Sequence, residues 1–163
     1  MHFEKISREQ WAKDCGTFMS EIYDDIKLPK QGTAKSMGMD FFAPYDIELL
    51  PRSYHVVPTG IRWVVNDIDY CTGLCVGLMI VPRSGLGFKH GIRLANTVGV
   101  IDADYQFANN EGHIMIKLYN PTNDQVTIEK GKGFAQGIIT PYIICNGAES
   151  DEDRTGGFGS TTK

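Results

Sequence analysis

Apolar residues along this chain recur at every second position or in brief continuous runs, set between closely spaced prolines and glycines. That is the period of strands rather than helices. Residues 46–50 end at Pro51, residues 54–57 precede Pro58-Thr59-Gly60, and residues 61–65 follow. A mostly apolar run, 71–81, is closed by Pro82. Residues 113–119 put Ile114, Ile116 and Leu118 on one face; 125–129 is a short strand, and 134–145 a longer one carrying Pro141. Many short strands at this spacing argue for an all-β sandwich or barrel, and within that class a jelly roll.

One helix is expected near the start. Ser7-Arg8-Glu9-Gln10 fits a capping box, and Trp11, Cys15, Phe18, Met19 and Ile22 then form an apolar stripe at helical spacing. From Asn146 onward the chain is rich in Gly, Ser, Thr and Asp, with Phe158 the single aromatic. Such a segment buries too little apolar area to order itself. The expected organisation is one domain, residues 1–145, followed by a flexible C-terminal arm, residues 146–163.

Composition narrows the function. With 163 residues, 42% hydrophobic and 22% charged, the chain is long enough for a proper core, and collagen-like, coiled-coil and wholly disordered classes are excluded. Sixteen Lys and Arg against twenty Asp and Glu leave a net charge of −4. Stable nucleic-acid binding is therefore not expected, though a small anion can still find a local basic pocket. No stretch approaches the ~18 consecutive apolar residues of a membrane helix. Met1-His2-Phe3-Glu4-Lys5 does not read as a signal peptide, and a cytoplasmic location is expected. Cys71 and Cys75, four strand steps apart, would lie ~13 Å from each other, beyond the ~7 Å of a disulfide. His2, His55, His90 and His113 show no metal-ligand spacing.

There is no phosphate-binding P-loop, dinucleotide fingerprint or nucleophile elbow. Three other groupings carry candidate chemistry. Arg83-Ser84-Gly85 follows the 71–81 strand, and a guanidinium, a hydroxyl and a glycine amide together suit an oxyanion; a surface turn is the alternative. In 99–105 an apolar strand leads to Asp102 and Asp104 with Tyr105 directly after. A carboxylate there can activate a water, and the tyrosine can pack against a sugar or base. As strand residues Asp102 and Asp104 would share a face, whereas a turn would separate them. In the tail, Arg154 and Phe158 sit on a glycine-rich string that can close over a ligand.

Taken together, these groupings resemble the trimeric dUTPase family, the dUTP nucleotidohydrolases. Five family motifs occur in family order: residues 37–41, 82–86, 99–105, 131–136 and 154–161. The resemblance implies a distorted jelly-roll β-barrel and a homotrimer whose active sites are shared between chains. It implies hydrolysis of dUTP to dUMP and pyrophosphate with Mg²⁺, which keeps uracil out of DNA and supplies dUMP for dTMP synthesis. On the matching positions it implies that Asp102 orients and deprotonates the attacking water and that Tyr105 packs under the deoxyribose. Asn96, Val100, Ile101 and Met115 fall at positions lining the uracil pocket. Arg83, Ser84, Gly85 and Gln136 would contact phosphates, Arg154 the γ-phosphate, and Phe158 would stack on uracil. Mg²⁺ would be held by triphosphate oxygens and waters, with Asp40 near its water shell or the Arg83 guanidinium.

The chain departs from the family pattern in four places. Gly133 stands where the fourth motif usually has Arg or Lys, and the fifth motif is altered. Residues 107–111 look inserted after the third motif, and roughly residues 7–25 are an added N-terminal segment. The last two features resemble phage and Gram-positive members; they are candidate rim elements and docking surfaces for a regulatory protein partner. The related dCTP deaminases need a glutamate in the strand after the third motif, and 112–120 has none.

Overall fold

The computed structural model describes residues 1–66, 75–143 and Gly156. Its strands are β1 (His2–Lys5), β2 (Lys30–Gln31), β3 (Met39–Phe42), β4 (Ile47–Leu49), β5 (Tyr54–Pro58), β6 (Ile61–Val64), β7 (Cys75–Pro82), β8 (Arg93–Leu94), β9 (Gly99–Ile101), β10 (Met115–Tyr119), β11 (Val126–Ile128) and β12 (Gly133–Tyr142). Two α-helices, α1 (Arg8–Cys15) and α2 (Ser84–His90), and two 3₁₀ helices (Thr17–Ile22 and Ala103–Phe107) complete the described elements. The strands run antiparallel in four sheets, ordered β2-β3-β12-β7-β9, β5-β10-β8, β1-β6 and β4-β11. The architecture is jelly-roll-like; no closed barrel forms among the described residues. No described helix is long and apolar enough to cross a membrane.

Alternation places the core. Ile114, Ile116 and Leu118 are all buried, while Lys117 between them points outward. Ile61 and Trp63 of β6 meet Ile47 and Leu49 of β4, Leu78 and Ile80 of β7 and Phe134 of β12 in one continuous cluster. Burying a large aliphatic or aromatic side chain contributes roughly 1.5–3 kcal/mol. The two-residue periodicity of the sequence is therefore what closes the sheets on one another.

The N-terminal segment joins this core, with Ile6 and Trp11 fully buried. Its helix forms as expected at one end: the Ser7 Oγ accepts from the Gln10 amide at 3.0 Å. The other half of the capping box is absent. Gln10 Nε2 donates to Asp14 Oδ1 at 2.8 Å, and the Ser7 amide donates to Glu111 Oε2 at 2.8 Å, 104 residues away. The apolar stripe is also not one helix. Gly16, with φ 77°, ends α1, and the chain resumes as the 3₁₀ helix Thr17–Ile22. Trp11 Nε1 donates to the Met19 carbonyl at 2.8 Å and closes the corner. Trp11, Cys15, Met19 and Ile22 still face the core across this break; the side chain of Phe18 lies outside the described part.

Cys15 and Cys75 are free, and burial pushes the Cys15 thiol up to about 11. Cys71, Cys145 and the arm at 146–163, apart from Gly156, lie outside the described residues.

His113 is a buried polar centre. Its Nε2 accepts from the Gly60 amide at 2.9 Å and its Nδ1 faces Asp14 Oδ2 at 2.6 Å. A ring that accepts at Nε2 is neutral, with its proton on Nδ1 donated to Asp14. Burial pushes the His113 pKa below its ordinary value, and Asp14 and Glu111 only partly oppose this. Unfolded, the ring takes up a proton near pH 6.5. The unfolded state thus binds more protons in mildly acid solution, and stability falls as the pH drops through about 6.5. His55, also lowered by burial, acts in the same sense. The unfolding free energy from urea melts should be clearly lower at pH 5.5 than at pH 7.5, His113 contributing up to about 1.4 kcal/mol for each pH unit below about 6.5; identical values would contradict a neutral buried ring.

Candidate active site

The hairpin between β8 and β9 is split between sheets. β8 pairs with β10 in the three-stranded sheet, whereas β9 pairs with β7 in the five-stranded one. The turn joining them bends through Thr97, at φ 66°, with the Thr97 amide bonded to the Leu94 carbonyl at 3.2 Å. Where the two sheets part, a cavity of about 360 Å³ opens, lined by Asn96, Gly99, Val100, Ile101, Tyr105 and Met115 among others. The five residues that the resemblance assigns to uracil and deoxyribose in the described part therefore share one cavity. The exposed Lys117 lines it too, a residue that β-strand alternation alone would have assigned to open solvent.

The chain turns immediately after β9. Asp102 is the N-terminal flank of the 3₁₀ helix Ala103–Phe107, so Asp102 and Asp104 do not continue a strand. Ala103 between them is buried, and both aspartates are exposed. Asp102 lines a neighbouring cavity of about 300 Å³ with Gly77, Leu78, Met79, Thr140 and Tyr142. Val100 lines both cavities and stands between the carboxylate and the Asn96 side. Desolvation pushes the Tyr142 phenol above its ordinary value, and the charges of Asp102 and Asp104 add to this.

The third grouping lies at the far end of β7. The Arg83-Ser84-Gly85 grouping, for which the sequence left a surface turn as the alternative to an oxyanion cradle, leads into a helix, α2, over residues 84–90. The first bonds of this helix run from the Leu86 and Gly87 amides to the Arg83 carbonyl, so the Ser84 and Gly85 amides precede them. Arg83, Ser84 and Gly85 share a cavity of about 550 Å³ with Lys89, His90 and Lys132. Lys89 and His90 were missed; a helical reading of 84–90 would have put His90 two turns from Arg83 on the same side. Four basic side chains line the cavity against one carboxylate, Glu129, which lies 3.9 Å from Lys132, an excess of basic groups that suits a polyanion.

Asp40 ties this cavity to the sheet. Its Oδ2 lies 3.2 Å from Arg83 Nη2, and its Oδ1 accepts from Gln136 Nε2 at 3.2 Å. Both carboxylate oxygens are thus engaged by protein donors. Among the described residues no group of three His, Cys, Asp or Glu side chains could hold a metal ion. Gly133 follows from the same packing: a Cβ there would sit 3.0 Å from Arg83 Nη1 and 3.2 Å from its Cζ. The bare backbone lets the guanidinium lie flat across the start of β12. Arg154 and Phe158 lie outside the described residues.

A sequence profile of the family described as dUTPase matches residues 24–162. The deoxyuridine 5′-triphosphate nucleotidohydrolase of Lactococcus lactis subsp. lactis is 37% identical over 139 residues, which cover 83% of this chain and 88% of that protein. The crystal structure of the dUTPase from Streptococcus mutans superposes with a TM-score of 0.70 at 30% identity, over 90% of this chain and all of that one. A mutant dUTPase from phage phi11 of S. aureus, whose structure reveals the coordination of a structural Mg(II) ion, gives 0.62 at 17% identity over 79% and 92% of the two chains. This last is a likeness of fold.

Replacing Gly133 with valine should push the Arg83 guanidinium off β12 and weaken pyrophosphate binding about five-fold, the equivalent of about 1 kcal/mol. Titration calorimetry with pyrophosphate reads this directly, and unchanged affinity would show that Arg83 does not depend on the missing side chain.

Proposed function

This chain belongs to the dUTPase family and hydrolyses dUTP to dUMP, and from that premise we propose how its residues divide the work. The observation that carries the reading is the gathering of Asn96, Val100, Ile101, Tyr105 and Met115 around one cavity, with Asp102 just beyond Val100. The cavity receives uracil and deoxyribose. Uracil is selected by matching donors and acceptors on the hairpin, since each mismatched buried polar group costs about 1–3 kcal/mol. Tyr105 closes the space a ribose 2′-hydroxyl would need.

Asp102 orients and deprotonates the water that attacks the α-phosphorus. A carboxylate is a weak base, so its contribution rests on placement more than on basicity. Arg83, Ser84, Gly85 and Gln136 hold the phosphates, Lys89 and Lys132 add positive charge around them, and the His90 ring offers a further hydrogen-bonding group. Asp40 fixes Arg83 and Gln136 in a single geometry.

In this reading the nucleotide, rather than a protein cage, would carry Mg²⁺. The cation-rich cavity fits a triphosphate better than a bare metal, and the oxygens of Asp40 are already engaged. Phosphate oxygens and waters would hold the ion, as Mg²⁺ prefers, and when bound it would neutralise charge on the triphosphate. Arg154 and Phe158 belong to the fifth motif and would act from the arm, on the γ-phosphate and on uracil.

The uracil-side and phosphate-side cavities have no lining residue in common. That separation supports a homotrimer in which one copy offers the nucleoside half of a site and its neighbour the phosphate half.

Two experiments test these assignments. Pyrophosphate release from dUTP, dCTP, dTTP and UTP, with Mg²⁺ and with chelator, should be confined to dUTP and abolished by chelator. Release that persists in chelator would remove Mg²⁺ from the reaction. Asp102→Asn should keep nucleotide binding and lose about 10²–10⁴ in kcat, the usual contribution of a positioned base; full turnover would place the base elsewhere.

A further inference from the structure

The residues inserted after Tyr105 do not hang free. Asn110 Nδ2 donates to the Tyr105 hydroxyl at 2.9 Å, and that hydroxyl donates to the His113 carbonyl at 2.9 Å. Asn110 is itself held, its Oδ1 accepting from the Gly112 amide at 3.2 Å. The loop folds back hard to make these bonds: Glu111 adopts φ 59°, and a Cβ on Gly112 (φ 72°) would come within 2.8 Å of both Gln106 Cα and the Tyr105 carbonyl.

The loop is anchored in turn to the N-terminal segment. Both oxygens of Glu111 are engaged by Ser7, from its amide at 2.8 Å and its hydroxyl at 2.6 Å. His113, whose carbonyl receives the Tyr105 proton, is fixed by Asp14 and by the Gly60 amide. Tyr105 is almost fully buried, yet it rides on a five-residue 3₁₀ helix, an element with poor internal hydrogen-bond geometry. Gln106 bolts that helix to Val65 through bonds of 3.0 and 3.4 Å, but this fixes the backbone and leaves the ring to be aimed. Refusing a single extra hydroxyl demands a ring fixed to a fraction of an ångström.

We propose that Asn110 is a positioning residue that aims the Tyr105 ring against a ribose 2′-hydroxyl, and that the N-terminal segment sustains this aim through Glu111. The inference rests on the reading of Tyr105 as the sugar gate. It also gives the two additions to the family pattern, residues 107–111 and the N-terminal segment, one shared task at the known site.

The test compares kcat/KM for dUTP and UTP in the full-length enzyme. Asn110→Ala should lower the dUTP-to-UTP ratio about five-fold, the scale of one lost hydrogen bond, chiefly by raising kcat/KM for UTP. Asn110→Asp keeps the shape but lacks the donated N–H; it should do the same, and serves if the alanine variant does not fold. Tyr105→Phe removes the hydroxyl on which the loop acts, so adding Asn110→Ala to it should change the ratio no further. Glu111→Ala should move the ratio in the same direction by a smaller factor. If Tyr105→Ala relaxes the ratio while both Asn110 variants leave it intact, the positioning role is overturned and the gate stands. An unmoved ratio in Glu111→Ala would overturn the part given to the N-terminal segment. If Tyr105→Ala itself leaves the ratio intact, the gate reading fails and the inference with it.

Discussion

Nearly everything at the site depends on the register of β12. Its residues pair on one side with β3 and on the other with β7, and Gln136 lies opposite both Asp40 and Val81. β7 then carries the register outward, placing Met79 opposite Val100 and leading directly into Arg83. One strand thus fixes, within a single copy, where Arg83 and the β8–β9 turn stand relative to each other. A slip of one residue would turn every side chain to the other face, and with Leu78, Ile80, Phe134 and Ala135 buried along these strands the core forbids it. The bulge between Gly133 and Ala135 is the one irregularity, and it falls where Arg83 crosses.

Polar groups do a second kind of work at the opposite rim. Asp14, Ser7, Glu111, Asn110 and His113 form a chain of bonds between the N-terminal helix and the third motif. Such networks rigidify only when every member finds a partner, and each of these does. Glu111 shows the balance plainly. Burial works to raise its carboxyl, but the bonds from Ser7 prevail and hold it below the ordinary value. The charge therefore survives in place and keeps the loop tied to the helix.

The strands were legible because alternation is a local signal. Ile114, Ile116 and Leu118 showed their common face in five residues of sequence, whereas the family was legible only from five motifs in order along the chain. What escaped depended on distance. Gln10 satisfied the sequence rule for a capping box, yet the partner of the Ser7 amide came from Glu111, and nothing near residue 7 announces it. Gly16 interrupted a helical stripe whose hydrophobic spacing ran straight through it, because a glycine can turn the chain without disturbing which residues face inward. Residues 84–90 hid a helix behind two glycines that sequence rules assign to turns. The role of Gly133 was illegible for a related reason: what matters there is the guanidinium that occupies the space a side chain would have taken.

The place of Trp11 separates two boundaries that are often treated as one. The stretch recognisable as family begins at residue 24, whereas Ile6 and Trp11 are sealed inside the same core as Phe41 and Ile114. Ancestry inferred from matched sequence therefore marks out a smaller object than the cooperative unit that folds. The leading segment is structural masonry: a chain trimmed to begin at residue 24 would open a void the size of an indole, strip Glu111 of both bonds from Ser7 and strip His113 of Asp14.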